Sequence, residues 1–542
     1  MSLRNRILLA LICTAVLSCA GQENASTLRA QTDLVLIPTH VRLHGKHLSG
    51  LSKEDFSVLQ DGQLQRISVF EEVRPSSEKL RPASVAPGEF TNSLVTDPKV
   101  SRYVVIAIDR INTTAMDMNR LRDALSGFLA RIASSDEPIG LIAINPHTVE
   151  VVHDFTSDPK VLKTALDRNR TPAGKLRYDS NWLDETLDEI GSANTSGVKE
   201  REQAMVQFQE RSNRISSLEA LQRIALSLSG LPGHKSLLWV SSGYPFASLF
   251  KADRNTRDSS NVKFTPENAP EALGLDEYTM HLLNTANIAV YPVDARSPSN
   301  SAWSYMDPSL QRPERSNEAE RLRDQDVAAT FEHLAASTGG KPCYSRADMA
   351  SCLEEALEDA REYYVLGYYI DRSKVKSGWH KLQVKVVGQK AAVRARSGFL
   401  FSDESPDFTK ATDMRLAVNS RLAEVELPFL GRWTEISRNG DKRVIEVELK
   451  VPGTTELISS SSRILNLEVA AVARNPDGTI AGQFGQHIER DIPSEQIEEI
   501  QKSGITYKNK LELRPGRYLV RIVLRDNKTA RLGSVSTPLT VN

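Results

Sequence analysis

One short run of residues constrains the fold of this chain more than any other. Residues 103–108 are apolar without interruption, and the run ends in the carboxylate of Asp109, before a polar turn and a helix that starts near Met116. An apolar run of about six residues bounded by polar ones is typical of a parallel strand covered on both faces. In open α/β sheets the binding crevice lies beyond the carboxyl ends of such strands. Asp109 is therefore the first candidate site residue.

Strand and helix patterns alternate around this run, between residues 101 and 362. The other predicted strands lie at 140–144, 149–152, 236–241, 288–293 and 342–344. Helices are predicted between them, with a polar insertion at 171–209, at 116–130, 160–168, 217–229, 270–284, 321–337 and 349–363. This alternation predicts an α/β fold with a doubly wound, mostly parallel sheet.

Two groups of strand patterns flank this region, each too small to bury a core of its own. They lie at 34–43, 56–60 and 67–70 before it, and at 364–370, 380–386 and 392–396 after it. We expect residues 32–73 and 363–401 to form one small β domain into which the α/β domain is inserted. Asp61-Gly62 predicts a hairpin between 56–60 and 67–70, and the Pro-, Ser-, Lys- and Glu-rich segment 74–100 predicts a linker.

The last part of the chain, residues 405–542, has only strand patterns. They lie at 422–427, 444–450, 465–472, 510–513 and 517–524. Turn dipeptides such as Asn439-Gly440 and Asp477-Gly478 separate them. Short strands at this spacing predict a C-terminal all-β sandwich similar to an immunoglobulin or fibronectin module.

The N-terminus has the pattern of an export signal at residues 1–20. Arg4 and Arg6 precede an apolar run at 7–17 and the small residues 18–20, which is the order of such a signal. Cleavage after Ala20 predicts a secreted or periplasmic protein, whereas cleavage before Cys19 would leave a lipid-anchored envelope protein. No other window approaches the roughly 18 apolar residues of a membrane span, so none is predicted.

Charge and cysteine content narrow the partners and the chemistry. The formal net charge of −1 provides no overall field to attract nucleic acid or anionic lipid. Beyond the export signal only Cys343 and Cys352 remain. In an oxidising compartment they are a candidate disulfide, with two separate buried thiols as the alternative. Two cysteines without a nearby His or Cys pair do not predict zinc.

Four motifs together resemble those of a known family. They are GLSKEDFSVLQDG at 50–62, LQRIALSLSGLPGHKSLLWVSSG at 221–243, NIAVYPVDAR at 287–296 and AREYYVLGYY at 360–369. With them the chain resembles the secreted proteins related to the von Willebrand factor type A domain that are typical of Acidobacteria. The resemblance covers about two thirds of the chain and implies a type A fold for residues 101–362.

This resemblance also implies a divalent cation, commonly Mg²⁺, at the C-terminal edge of the sheet. Its ligands in the family come from an Asp-x-Ser-x-Ser turn, a Thr and a later Asp. Here Asp109 holds the first position, but Ile111 replaces the first Ser and Ser241-Ser242-Gly243 replaces Thr-Asp-Gly. The degenerate site would use Asp109, Thr113, Ser217 and Ser242, and we expect no other cofactor. Alternatively, Asp109 only caps its turn and the following helix.

Signals for an enzyme are weak in this sequence. It has no His-Glu-x-x-His and no Gly-x-Ser-x-Gly motif, so the usual metalloprotease and serine hydrolase patterns are missing. The only candidate for acid–base work is a carboxylate pair formed by Asp109 and Asp294, which follow two predicted strands. We therefore expect a protein without enzymatic activity, with a hydrolase using this pair as one alternative.

The sequence as a whole predicts a secreted or envelope-tethered adhesion protein that binds an extracellular or envelope protein. A second alternative is an extracellular scaffold in which the type A edge is inert and the C-terminal sandwich makes the contacts. The predicted partner-binding edge consists of Asp109, Asn112, Thr113, Ser241, Ser242 and Asp294.

Overall fold

The structure is a computed structural model of the chain. It describes residues 32–74, 85–86, 88–92, 102–132, 138–146, 148–169, 195–231, 233–243, 270–296, 327–344, 348–371, 374–388, 390–401, 414, 417–419, 422–455, 457–459 and 462–542. The predicted export signal at 1–20, with Cys19, lies outside these residues. None of the helices in the described ranges combines the length and the apolar character that a bilayer crossing needs.

Five strands come first: β1 (Thr32–Leu43), β2 (Lys46–His47), β3 (Phe56–Gln60), β4 (Gln63–Gln65) and β5 (Val69–Val73). The turn Asp61-Gly62 joins β3 to β4 and places Gln60 opposite Gln63. Both turn residues have positive φ, 50° and 81°, which suits a two-residue hairpin loop. Such a loop pairs the residues next to it, so the hairpin partner predicted at 67–70 is wrong, and β5 joins a different sheet.

A central sheet follows, after a short strand β6 (Glu89–Thr91). Its strands are β7 (Arg102–Asp109), β8 (Ile139–Asn145), β9 (Thr148–Thr156), β10 (His234–Ser241) and β11 (Ile288–Asp294). In the order β11-β10-β7-β8-β9, all neighbours are parallel except β8 and β9. Every residue of β7, the middle strand, is buried.

Helices cover both faces of this sheet: α1 (Ala115–Arg131), α2 (Pro159–Arg168), α3 (Thr195–Ser229), α4 (Pro270–Thr285), α5 (residues 327–338) and α6 (Met349–Asp359). Val105 and Ala107 of β7 belong to a core with α3, α4 and α5. Ile106 and Ile108 belong to a second core with α1, α2 and α6. Because alternate side chains of β7 face two cores, its apolar run is continuous.

Predicted boundaries differ from the structure at several places, and at 422–427, where a strand is predicted, Val425 forms only an isolated bridge with Gly533. Helix α3 begins at Thr195 rather than at residue 217. The residues before 217 include good helix formers, but they lack the apolar stripe from which a helix is predicted. Residues 342–344 form only a single parallel bridge, between Cys343 and Val293. Helix α6 ends at Asp359 because the next strand already starts at Tyr363.

Four further strands complete the β domain: β12 (Tyr363–Asp371), β13 (Gly378–Val386), β14 (Ala392–Ala395) and β15 (Gly398–Phe401). Strand β12 pairs antiparallel with β1, from Thr32↔Asp371 to Thr39↔Tyr364. The sheets have the orders β14-β1-β12-β5 and β15-β13-β3-β4. Ile37, Val58 and Leu366 are among the apolar residues of their shared core. Segments before and after the central sheet thus pack as one unit.

The C-terminal unit contains β16 (Leu430–Asn439), β17 (Lys442–Val451), β18 (Ile464–Arg474), β19 (Ile480–Asp491), helix α7 (Ser494–Ser503), β20 (Ile505–Leu513), β21 (Gly516–Asp526) and β22 (Leu532–Val541). Its two sheets have the orders β20-β17-β16-β6 and β19-β18-β21-β22. Strand β6 pairs with β16, and buried Phe90 packs on Trp433 with ring centroids 4.6 Å apart. The linker prediction is therefore wrong for residues 89–91, where a lone buried aromatic residue supplies little pattern.

The C-terminal unit packs against the end of α3. A Cβ added to Gly230 would lie 2.3 Å from the backbone nitrogen of Glu426, so only glycine permits this approach. Leu422 and Val425 belong to the core on the α3 side of the central sheet. The two units therefore share apolar packing as well as backbone contact.

Candidate functional site

Three adjacent strands of the central sheet end at one level. Val240 is in register with Ile108, so that Ser241 lies across from Asp109, and Ser241 is itself in register with Asp294. Side chains alternate between the faces of a sheet. Asp109, Ser241 and Asp294 therefore lie on the face that α3, α4 and α5 cover, at the C-terminal edge of the strands.

The carboxylate of Asp109 is completely buried and accepts four hydrogen bonds. Its Oδ1 accepts from the backbone nitrogens of Ile111 at 2.9 Å and Asn112 at 3.2 Å. Its Oδ2 accepts from Asn112 Nδ2 at 2.7 Å and Ser241 Oγ at 2.8 Å. Burial raises the pKa of Asp109 above its ordinary value, against the opposing effect of these hydrogen bonds.

The side chain of Asn112 connects this carboxylate to helix α3. Its Nδ2 also donates to Ser217 Oγ, at 2.8 Å, and Ser217 is buried. Gly243 leaves room for Asn112, because a Cβ at residue 243 would lie 2.5 Å from Asn112 Cβ. The end of β7, the loop after it and the helix α3 are thus joined through one amide group.

Thr113 and Ser242 are used to hold the loop after β10. The backbone nitrogen of Ser242 donates to Thr113 Oγ1 at 3.3 Å. The Ser242 hydroxyl is buried and has no hydrogen-bond partner among the described residues. Helix α1 is capped by Thr114, whose Oγ1 accepts from the Asp117 nitrogen at 3.2 Å. Asp109 therefore caps its own turn, and the alternative in which it also caps the helix is wrong.

Asp294 is engaged by a different partner from Asp109. Its carboxylate accepts from Nε of Arg296 at 3.0 Å and from Nη2 of the same residue at 2.8 Å. The strand that ends in Ser241 separates the two aspartates, and two strand spacings are about 10 Å. The structure thus gives each aspartate its own partners and does not join them as a carboxylate pair.

Cys343 and Cys352 form a disulfide next to this edge. Cys343 bridges to Val293, and its carbonyl oxygen accepts from the Asp294 nitrogen at 2.8 Å. Cys352 lies in α6 and is buried. The bond therefore ties the end of β11, and with it the loop of Asp294, to helix α6.

These residues do not fit the divalent cation that the family resemblance implies. Within the described residues, no group of three or more His, Cys, Asp and Glu side chains is placed to hold a metal ion. A carboxylate offers about four lone-pair positions, and those of Asp109 already accept four hydrogen bonds. The hydroxyl oxygens of Thr113 and Ser217 accept from Ser242 and Asn112.

Sequence reasoning missed the roles of Asn112 and Gly243. Asn112 was a candidate for partner contact, whereas the structure uses its amide to join two elements. The close spacing of Arg296 to Asp294 in the sequence permits an ion pair, and the structure has it. No local signal could have paired Asn112 with Ser217, which lies 105 residues further along the chain.

No protein-family model matches the chain, and no curated protein matches it. Among solved structures, a beta-glucuronidase from glycoside hydrolase family 2 is 11% identical, with 20% of this chain and 11% of that chain covered and a TM-score of 0.15. A family 2 glycosyl hydrolase from Bacteroides cellulosilyticus is 10% identical over 33% of this chain and 20% of its own, with a TM-score of 0.16.

A third solved structure, an aerotolerance-related membrane protein from Bacteroides fragilis, is 12% identical over 48% of this chain and 98% of its own, with a TM-score of 0.24. The chain spans 11% and 20% of the two hydrolase chains. At such TM-scores these likenesses carry no argument about fold or function.

Proposed function

We propose that this chain is a non-enzymatic interaction protein of the extracytoplasmic space, secreted or held at the envelope. Its partner, an extracellular or envelope protein, binds the C-terminal edge of the central sheet, which on this proposal belongs to a doubly wound domain of type A kind. The observation that carries this proposal is the complete internal hydrogen bonding of Asp109. Such an edge is rigid and preformed, which favours binding, and both of the carboxylates predicted for acid–base work, Asp109 and Asp294, already have partners.

The rim of the edge supports a protein partner. Met116, in the first turn of α1, has 83% of its surface exposed, and the nearby Asn112 and Ser242 are partly exposed. Methionine is enriched in protein interfaces and adapts its shape to a partner. An exposed apolar side chain beside a rigid polar cluster provides both contact area and orientation.

A second candidate function is a scaffold that makes its contacts through the C-terminal unit. Exposed apolar side chains on that unit favour it: Ile464 at 49%, Ile480 at 53% and Leu519 at 43%. Deleting the whole unit is a poor test, because β6 would lose its partner strand β16. Substitutions at the exposed positions are cleaner.

The test is capture of a partner from envelope extract and culture fluid by the immobilised full chain. We expect Met116→Lys to abolish capture while the midpoint of thermal unfolding is unchanged. Leu64→Lys is the matched control, because Leu64 is 72% exposed on β4, a strand of the β domain and not of the central sheet, and capture should persist. Loss of capture in Ile480→Lys with Leu519→Lys, but not in Met116→Lys, would support the scaffold instead.

A further inference from the structure

The position of the Asn112 amide nitrogen suggests how the edge is held. Nδ2 lies 2.7 Å from Asp109 Oδ2 and 2.8 Å from Ser217 Oγ, so both of its hydrogens have acceptors. One acceptor belongs to the carboxylate at the end of β7, and the other belongs to α3. A cation that joined these same two oxygens would have to occupy the place of this nitrogen.

We infer that the Asn112 side-chain amide takes the place of a divalent cation at this edge, which keeps its bound-ready conformation without metal. This inference deepens the proposed function, since it states how the proposed partner-binding edge is held. Two N–H groups supply what a cation would supply, namely an electropositive centre shared by an anionic oxygen and a neutral one.

The surroundings of Asn112 are arranged for an amide. Gly243 has no side chain to collide with it. Asp109 Oδ1 accepts hydrogen bonds from the backbone nitrogens of Ile111 and of Asn112 itself. With the two bonds to Oδ2 they complete the set that this carboxylate can accept. The Ser241 hydroxyl, also on Oδ2, fixes the carboxylate from the β10 side.

Replacing the amide of Asn112 by a carboxylate should make the stability of this edge depend on metal. In Asn112→Asp, a carboxylate oxygen replaces the nitrogen that lies 2.7 Å from Asp109 Oδ2. Two carboxylates in contact, of which Asp109 is fully buried, repel each other unless a proton or a cation lies between them. Together with the Ser217 hydroxyl they form an oxygen set that a hard cation accepts.

The experiment measures the midpoint of thermal unfolding of the full mature chain in millimolar Mg²⁺, in millimolar Mn²⁺ and in excess chelator. We expect no change for the unmodified protein. Asn112→Asp should unfold at a lower temperature in chelator, and Mn²⁺ should raise its midpoint in a saturable way. Asn112→Ala, which adds no carboxylate, should unfold at a lower temperature than the unmodified protein in all three conditions. Adding Asp109→Asn to Asn112→Asp should remove the response to metal.

Three results would overturn the inference. One is a saturable rise of the midpoint with Mg²⁺ or Mn²⁺ in the unmodified protein. The second is an Asn112→Ala variant as stable as the unmodified protein, and this result can be obtained even if Asn112→Asp does not fold. The third is a folded Asn112→Asp variant whose unfolding midpoint does not change with Mg²⁺ or Mn²⁺. Failure to capture a partner would leave all these midpoints unchanged, so the two proposals fail separately.

Discussion

Arg42 donates from Nη2 to Oδ1 of Asp359 at 2.9 Å, and this ion pair joins the β domain to the last helix of the central domain. Asp359 is buried and also accepts from the Tyr291 hydroxyl at 2.9 Å and from Arg394. Burial by itself raises the pKa of Asp359, but His40, Arg394 and the hydrogen bonds outweigh it and hold the pKa below its ordinary value.

Asp359→Asn should destabilise the protein strongly, because it removes the buried carboxylate that neutralises the half-buried Arg394. Breaking one partner out of a buried ion pair costs about 3–5 kcal/mol, and urea unfolding of the full chain measures it. Asp167→Asn is the control, since its pair with Lys163 is exposed and should cost at most about 0.5 kcal/mol. Equal effects of the two substitutions would contradict the central role of Asp359.

Two buried histidines near this ion pair predict loss of stability in mild acid. Burial lowers the pKa of His40 to about 3 and that of His234 to about 4. Asp359, Arg42 and Arg394 act on His40, and Lys235, Asn287 and Asp359 act on His234. Below pH 6.5 the unfolded chain protonates both rings while the folded chain does not.

The free energy of unfolding should therefore fall from pH 6.5 toward pH 4, by about 1.4 kcal/mol per pH unit for each histidine. Urea midpoints between pH 7 and pH 5 measure this slope. His40→Met should roughly halve this slope, and the substitution is tolerable because neither ring nitrogen of His40 has a hydrogen-bond partner among the described residues. A slope that His40→Met leaves unchanged would contradict this assignment.

Gly230→Ala should separate the C-terminal unit from the central domain. The added Cβ would lie 2.3 Å from the Glu426 nitrogen, and relief requires a backbone shift that costs about 1–3 kcal/mol. Limited proteolysis and the unfolding midpoint report the change. Gly127→Ala in α1 is the matched control, because its Cβ would meet nothing within 4 Å and alanine favours a helix by up to about 1 kcal/mol.

Removing the disulfide should destabilise the edge around Asp294. Cys343 and Cys352 are nine residues apart, and closing so short a loop contributes about 2–3 kcal/mol in the chain-entropy model. Paired Cys343→Ser and Cys352→Ser substitutions should lower the unfolding midpoint, and reductant should lower that of the unmodified protein equally. A reductant effect that persists in the double variant would show another cause.

Local sequence patterns predicted where the strands end, but not which residues their ends contact. The apolar run before Asp109 predicted a buried strand, and β7 lies there, because burial on both faces leaves a continuous signature. The contact of Asn112 with Ser217 depends on how α3 packs, which no local pattern records. For the same reason the turn at Asp61-Gly62 was visible, whereas the sheet that β5 joins was not.

Strand β6 also determines the order in which the chain can fold. Glu89 of β6 pairs with Arg432, and Thr32 at the start of β1 pairs with Asp371. Pairings this far apart in sequence raise the contact order and slow folding. While the chain is being made, β6 and most of β1, whose nearby pairing is with the two-residue strand β2, stay unpaired and exposed to aggregation. The central sheet, whose strands do not depend on either of them, is the unit able to form first.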